Sequence, residues 1–413
     1  MAVLPMSPSP SSHPAHPARH REAEPRNRRL GRALRAVARV EEVDESLLAE
    51  IGAAFGRVDG PGARLAEAMR RPAGDPQRVT HARLDRALRD GAEPGDPEAL
   101  VAFLATVEAT PAWVDPALLA RGQRVYHRFG QNAADVLLQL SLIGGYRFGG
   151  PTDLLVATGG LHGDATVRRL AETQYWATTL SRPGGLERDG EAWRLTVHVR
   201  AMHALVNATF APRWDVARWG QPINQADQAA TLGLFDAVVL LGVRALGVPV
   251  SREDSRAVMH LWRYVGWLLG VEDRFLVATE RERHRLNYHL LLAQADLTPA
   301  GPLLAQAVVD AQRDLHYPDR ARWRGWWARE RMLSMLTVFL GPQSMRELGL
   351  PRRPPWAHPL TIATNLWRYR TPWGRRGLDA WGTRVRERVM ARYFGPDGAA
   401  RSVGALPEGS AVS

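Results

Sequence analysis

The chain has 413 residues, 45% of them hydrophobic and 23% charged, with a net charge of +11. That is enough apolar material for a large packed core, and the charge alone would admit nucleic acid or an anionic membrane as partner. Lysine and cysteine are both absent. This excludes a Walker phosphate loop, a pyridoxal Schiff base, disulfides, cysteine-ligated zinc or iron–sulfur sites, thiolate-ligated haem and covalently attached haem. No nucleic-acid-binding module is recognisable, so no nucleic-acid partner is expected.

Residues 1–40 are rich in Pro, Ser, His and Arg. Arg28 and Arg29 resemble a twin-Arg export signal, but Arg32, Arg35 and Arg39 interrupt the apolar stretch such a signal needs. We read 1–40 as a disordered basic leader, with His13, His16 and His20 in a solvated tail, and expect a cytoplasmic protein. From Glu41 onward apolar residues recur at three- and four-residue spacing. This predicts helices over 43–56, 98–108, 117–128, 133–143, 164–181, 191–210, 224–246, 252–270, 280–294 and 299–315. Neither alternating strands nor a fixed repeat is visible. The expectation is one all-α domain over 41–400, followed by a flexible tail at 401–413. The apolar run 229–248 is interrupted by Asp236 and Arg244 and reads as a buried helix. Asn224 and Ser251 are predicted helix caps.

Ala157 to Gly163 faintly resembles a dinucleotide loop after a strand. It lacks the first glycine, the later acidic residue and a βαβ setting, and is set aside. Further on, Arg169 and Thr173 share a helix face. Together they offer a cation and a hydroxyl to one spot, where preorganised donors could stabilise dioxygen; the alternative is a surface Arg and a Thr bonded back to its own helix. His198 and His203, like His284 and His289, are five apart and cannot share a metal. A haem needs only one protein nitrogen, and His203 meets that demand. Val199 and Val206 would wall a porphyrin, and Arg200 could reach a propionate. A satisfied core or surface His is the alternative. His260 and Arg263 share a face and suit an ordinary buried hydrogen bond. Many Trp and Arg crowd the last quarter. Trp packed on the core beneath stacked Arg is expected there, with weak membrane-surface contact as the other reading.

Several motifs then occur in one order: Arg169-Leu-Ala-Glu172-Thr173, Val199-Arg200-Ala-Met-His203, Trp219-Gly-Gln-Pro-Ile-Asn-Gln-Ala-Asp227 and His260 to Val271. Together they resemble the MpaB/rubber-oxygenase family over roughly 120 to 280. The resemblance implies an all-α fold and a non-covalent haem b with His203 as iron ligand. It also implies Arg169 and Thr173 in the distal pocket, and dioxygen-dependent cleavage of isoprenoid double bonds. Rubber-cleaving members carry Lys just before the pocket Thr; here that position is Glu172, a candidate acid/base if burial raises its pKa. Asp153 is a second candidate acid, with a cap role as the alternative. The absent signal and the Glu172 exchange point to a small apolar alkene or isoprenoid-like substrate rather than rubber. The same residues would also suit a non-catalytic haem sensor or carrier, or a haem-free helical lipid-binding protein.

Overall fold

The first turn of an α-helix leaves free N–H groups, and this chain repeatedly supplies a side chain to accept from them. Asp44 accepts from Leu47, Asp115 from Ala117 and Leu118, and Thr279 from Glu282. The caps expected at Asn224 and Ser251 are both made, to Asp227 and Asp254. The computed structural model describes residues 16–159, 164–188 and 190–395, and among them are helices and turns but no strand. The chain is all-α, as its periodicity requires.

Fourteen helices carry the argument. The N-terminal four are α1 (Glu24–Leu30), α2 (Arg32–Ala38), α3 (Glu45–Ala54) and α4 (Gly60–Met69). The middle of the chain supplies α5 (Pro116–Phe129), α6 (Asp164–Leu180), α7 (Glu191–Phe210), α8 (Gln225–Phe235) and α9 (Ala237–Ala245). Then come α10 (Arg252–Leu268), α11 (Glu280–Ala293), α12 (Ala321–Glu347), α13 (Ala357–Arg370) and α14 (Leu378–Phe394). The core runs along α10, where Val258, Leu261, Trp262 and Val265 are completely buried. Helix α5 crosses α10 at Gly122, where an added Cβ would lie 2.3 Å from the Ala257 carbonyl oxygen. Only a residue without a side chain permits so close an approach.

The expected single helix over 224–246 is two. Its backbone breaks at Asp236 (φ −97°, ψ −90°), whose carboxylate accepts from the Ala237 N–H. The same carboxylate lies 2.7 Å from Arg283 on α11, and neither side chain is exposed. A charge that cannot reach water must find a partner, and this pair turns the chain. The 224–246 stretch is long and apolar enough by composition to cross a membrane, but most of it is buried inside the protein. Similarly, the segment predicted as one helix over 133–143 is an α-helix to Val136 and a wider π-turn over Leu137–Ile143.

Two expectations are corrected. Residues 16–40 are not a disordered leader; they form α1 and α2 and pack on α11. Arg19 is fully buried, stacked over Phe55 at 4.0 Å and paired with Asp227 at 2.5 Å. His16 and His20 lie against Gly52 instead of in a solvated tail. Residues 1–15, with His13, and 401–413 lie outside the described residues. Nor do the C-terminal Trp mainly pack inward: Trp323, Trp367 and Trp373 are 56%, 60% and 76% exposed. Trp381 does follow the expected pattern, with Arg368 stacked 4.1 Å above its ring.

Candidate functional site

Helices α6 and α7 are joined by a short turn and pack on each other. Near that turn Tyr175 and Arg182 both bond to Glu191. Deeper in, the buried Trp176 Nε1 donates to Thr196 Oγ1 at 3.0 Å. These bonds fix an antiparallel register. Arg169 lies seven residues before Trp176, and His203 seven residues after Thr196. Seven residues are about two turns, so both positions keep the faces that meet at the bond. Arg169 and His203 each lie about two turns from that bond along their own helices. The faces are more accessible at this end: Thr173 and Glu172 are exposed, and Arg169 and His203 are half-buried.

His203 forms no hydrogen bond among the described residues, and its Nδ1 is shielded from solvent without a partner. Burial pushes its imidazole down to about 4, against the pull of the nearby Asp59 carboxylate. At neutral pH the ring is therefore uncharged, with a lone pair to give. It borders a cavity of about 160 Å³ lined also by Val58, Ala63, Asn207, Ile223 and Gln228. Asn207 holds the rim by accepting from the Ile223 N–H at 3.1 Å. This cavity is below the roughly 300–1,000 Å³ of ordinary ligand pockets. A planar macrocycle would need the accessible end of the α6–α7 pair as well.

Arg200 does not stand free for a propionate. Its Nε and Nη2 donate to both oxygens of Asp59 at 2.6 and 2.7 Å, and both side chains are largely buried. Arg200 is thereby a strut between α7 and the start of α4, one turn from His203, and lines the same cavity. Asp59 itself escapes sequence reading, since 141 positions separate the pair. Arg169 donates to the Thr158 hydroxyl at 2.9 Å and to its carbonyl at 3.2 Å, which aims the guanidinium along the α6 face. Burial lowers its pKa. The Thr173 side chain is exposed, with no bond back to its own helix among the described residues. Glu172 is exposed, so the burial that an acid/base role was expected to use is absent. Asp153 is a cap: its Oδ2 accepts from Gly150 N at 2.8 Å and Thr298 Oγ1 at 3.1 Å. His260 accepts from Asp115 N at 3.0 Å, the ordinary hydrogen bond expected. Leu154 to Val156 lie in a helix, not a strand, and residues 160–163 of the set-aside loop lie outside the described residues.

A haem fits these residues at one point, the orphaned nitrogen of a neutral imidazole beside a cavity. Among the described residues no cluster of three or more His, Asp or Glu could hold a bare metal ion. The comparison with known families then decides the relationship. Residues 127–371 match the family model described as ER-bound oxygenase mpaB/B′/rubber oxygenase, catalytic domain. The chain belongs to the MpaB/rubber-oxygenase family. A rubber oxygenase of Streptomyces sp. strain K30 is 26% identical over 243 residues, 56% of this chain and 57% of that protein. The matched part thus spans little more than half of that relative. The fold is also that of latex clearing protein LCP, solved in the closed state. That likeness has a TM-score of 0.63 at 19% identity, over 81% of this chain and 91% of that one. All four motifs of the sequence resemblance fall inside the family match.

Proposed function

We propose that this member of the MpaB/rubber-oxygenase family is a haem b-dependent oxygenase that uses dioxygen on an apolar alkene or isoprenoid-like substrate. The observation that carries the reading is the orphaned His203 imidazole beside its cavity. His203 would hold the iron through a ring that stays neutral well below physiological pH. Haem, when bound, supplies the dioxygen chemistry. Arg169, held by Thr158, would supply a positive charge, and the Thr173 hydroxyl, one turn further along α6, would supply a donor. Burial weakens solvent screening around Arg169, so its charge acts more strongly there than it would in water. The Glu172 carboxylate, exposed beside Thr173, would exchange protons with solvent. Asp59 and Arg200 would keep α7 from shifting under His203.

The substrate is inferred to be smaller than rubber. Glu172 replaces the Lys of rubber-cleaving members with a group of opposite charge, which alters what the mouth of the site attracts. The test is the visible spectrum of protein expressed with added haem, next to a His203→Ala variant. A Soret band in the wild type that is lost or shifted in the variant is expected. A folded wild type without a Soret band would sink this reading and favour a haem-free lipid-binding protein.

A further inference from the structure

Residues 348–378 contain six Arg and no Asp or Glu. Most of this stretch is α13 and the following short helix Pro372–Arg376. One face of α13 is anchored. Asn365 Nδ2 donates to the Leu246 carbonyl at 2.8 Å and to Asn132 Oδ1 at 2.7 Å, and Tyr369 Oη donates to the Arg128 carbonyl at 2.5 Å. The other face is apolar and uncovered. Leu360, Leu366, Trp367 and Trp373 are 61%, 40%, 60% and 76% exposed. Leu360 and Trp367 are two turns apart and lie on one stripe. Arg370, Arg375 and Arg376 are exposed around it and pair with no carboxylate among the described residues.

A contiguous apolar stripe facing water marks an interaction surface. Its composition selects the occupant. Tryptophan is the side chain that favours the headgroup level of a bilayer, with its ring in the apolar boundary and its N–H toward water. Unpaired arginines beside it attract lipid phosphates. A second copy of this chain would bring like charge against like charge. We propose that α13 and helix Pro372–Arg376 dock the protein on an anionic phospholipid bilayer, with Trp367 and Trp373 entering the headgroup layer and Arg370, Arg375 and Arg376 meeting phosphates. The aromatic surface continues from the start of α13, where Trp356 lies 4.7 Å from Trp327, which in turn stacks on Trp323 at 5.8 Å. The inference stands apart from the haem reading, since it uses none of the same residues.

The test is flotation of the full-length protein with phosphatidylcholine vesicles, with and without phosphatidylglycerol. Three proteins are compared: wild type, Trp367→Ser/Trp373→Ser and Arg375→Gln/Arg376→Gln. The wild type should float with the anionic vesicles and less with neutral ones, and added salt should release it. Each double variant should lower partitioning by roughly tenfold or more, with an unchanged unfolding temperature because the altered side chains are exposed. No flotation with anionic vesicles, or equal flotation of all three proteins, would overturn the proposal. So would a wild-type dimer, seen by sedimentation without lipid, that the Trp variant dissociates.

Discussion

At His203 the same burial that leaves Nδ1 without a partner also sets how the protein responds to acid. An unfolded histidine takes up a proton near pH 6.5, whereas the folded ring resists until about 4. The unfolded chain therefore binds more protons through that window, so stability falls as pH drops from 6.5 to 4 and is fully present above it. This residue contributes up to about 3 kcal/mol of that loss, at about 1.4 kcal/mol per pH unit. Haem-free His203→Ala should show a shallower decline in unfolding free energy between those pH values, measured by urea denaturation. An unchanged slope would mean that solvent reaches the ring more freely than its shielded Nδ1 indicates. His20, also depressed to about 4 by burial, lies on a different element and supplies its own part of the slope in both proteins.

Among the elements, the tightest crossing is that of α5 with α10. Gly122→Ala would drive a Cβ into the Ala257 carbonyl, a backbone atom that cannot rotate away. The expected cost is about 1–3 kcal/mol, the range for overpacking a close-packed interior, and thermal unfolding would read it. Helix positions like these were legible in sequence: three- and four-residue periodicity located α5, α6, α7, α10 and α11, and Asn224 and Ser251 announced their own helices. The break at Asp236 was not legible, because its cause is Arg283 on another helix. Motif order nominates His203, Arg169 and Thr173. The fate of Arg200 could not be read, since its partner Asp59 is remote in sequence and has no local signature. Periodicity reports which face of a helix is buried; it is silent on which charge meets which across the core.

For the whole molecule, residues 16–40 matter most. Their composition suggested a solvated tail, yet a single arginine changes the outcome. Arg19 gives up solvent entirely for Asp227 and the Phe55 ring, at the N-terminal end of α8. Removing one partner of a buried ion pair leaves the other uncompensated, typically at about 3–5 kcal/mol. Arg19→Ala should accordingly lower the unfolding temperature by roughly 6–20 °C, at roughly 2–4 °C per kcal/mol for a large domain. A variant that unfolds with the wild type would show that the arm is dispensable. Arg26 ties the same arm to Glu347 at 2.7 Å, so the chain's beginning braces both its middle and its last quarter.

That bracing has a consequence for biosynthesis. Asp227 follows Arg19 by 208 positions and Glu347 follows Arg26 by 321. During synthesis Arg19 is therefore made long before Asp227, so its buried ion pair forms only after residue 227 has emerged, although Glu45, Leu48 and Phe55 are available to the arm much earlier. The arm's final seating comes late in synthesis. Until then Arg19 lacks its carboxylate, and the apolar surfaces of the half-built core stay open to chaperones.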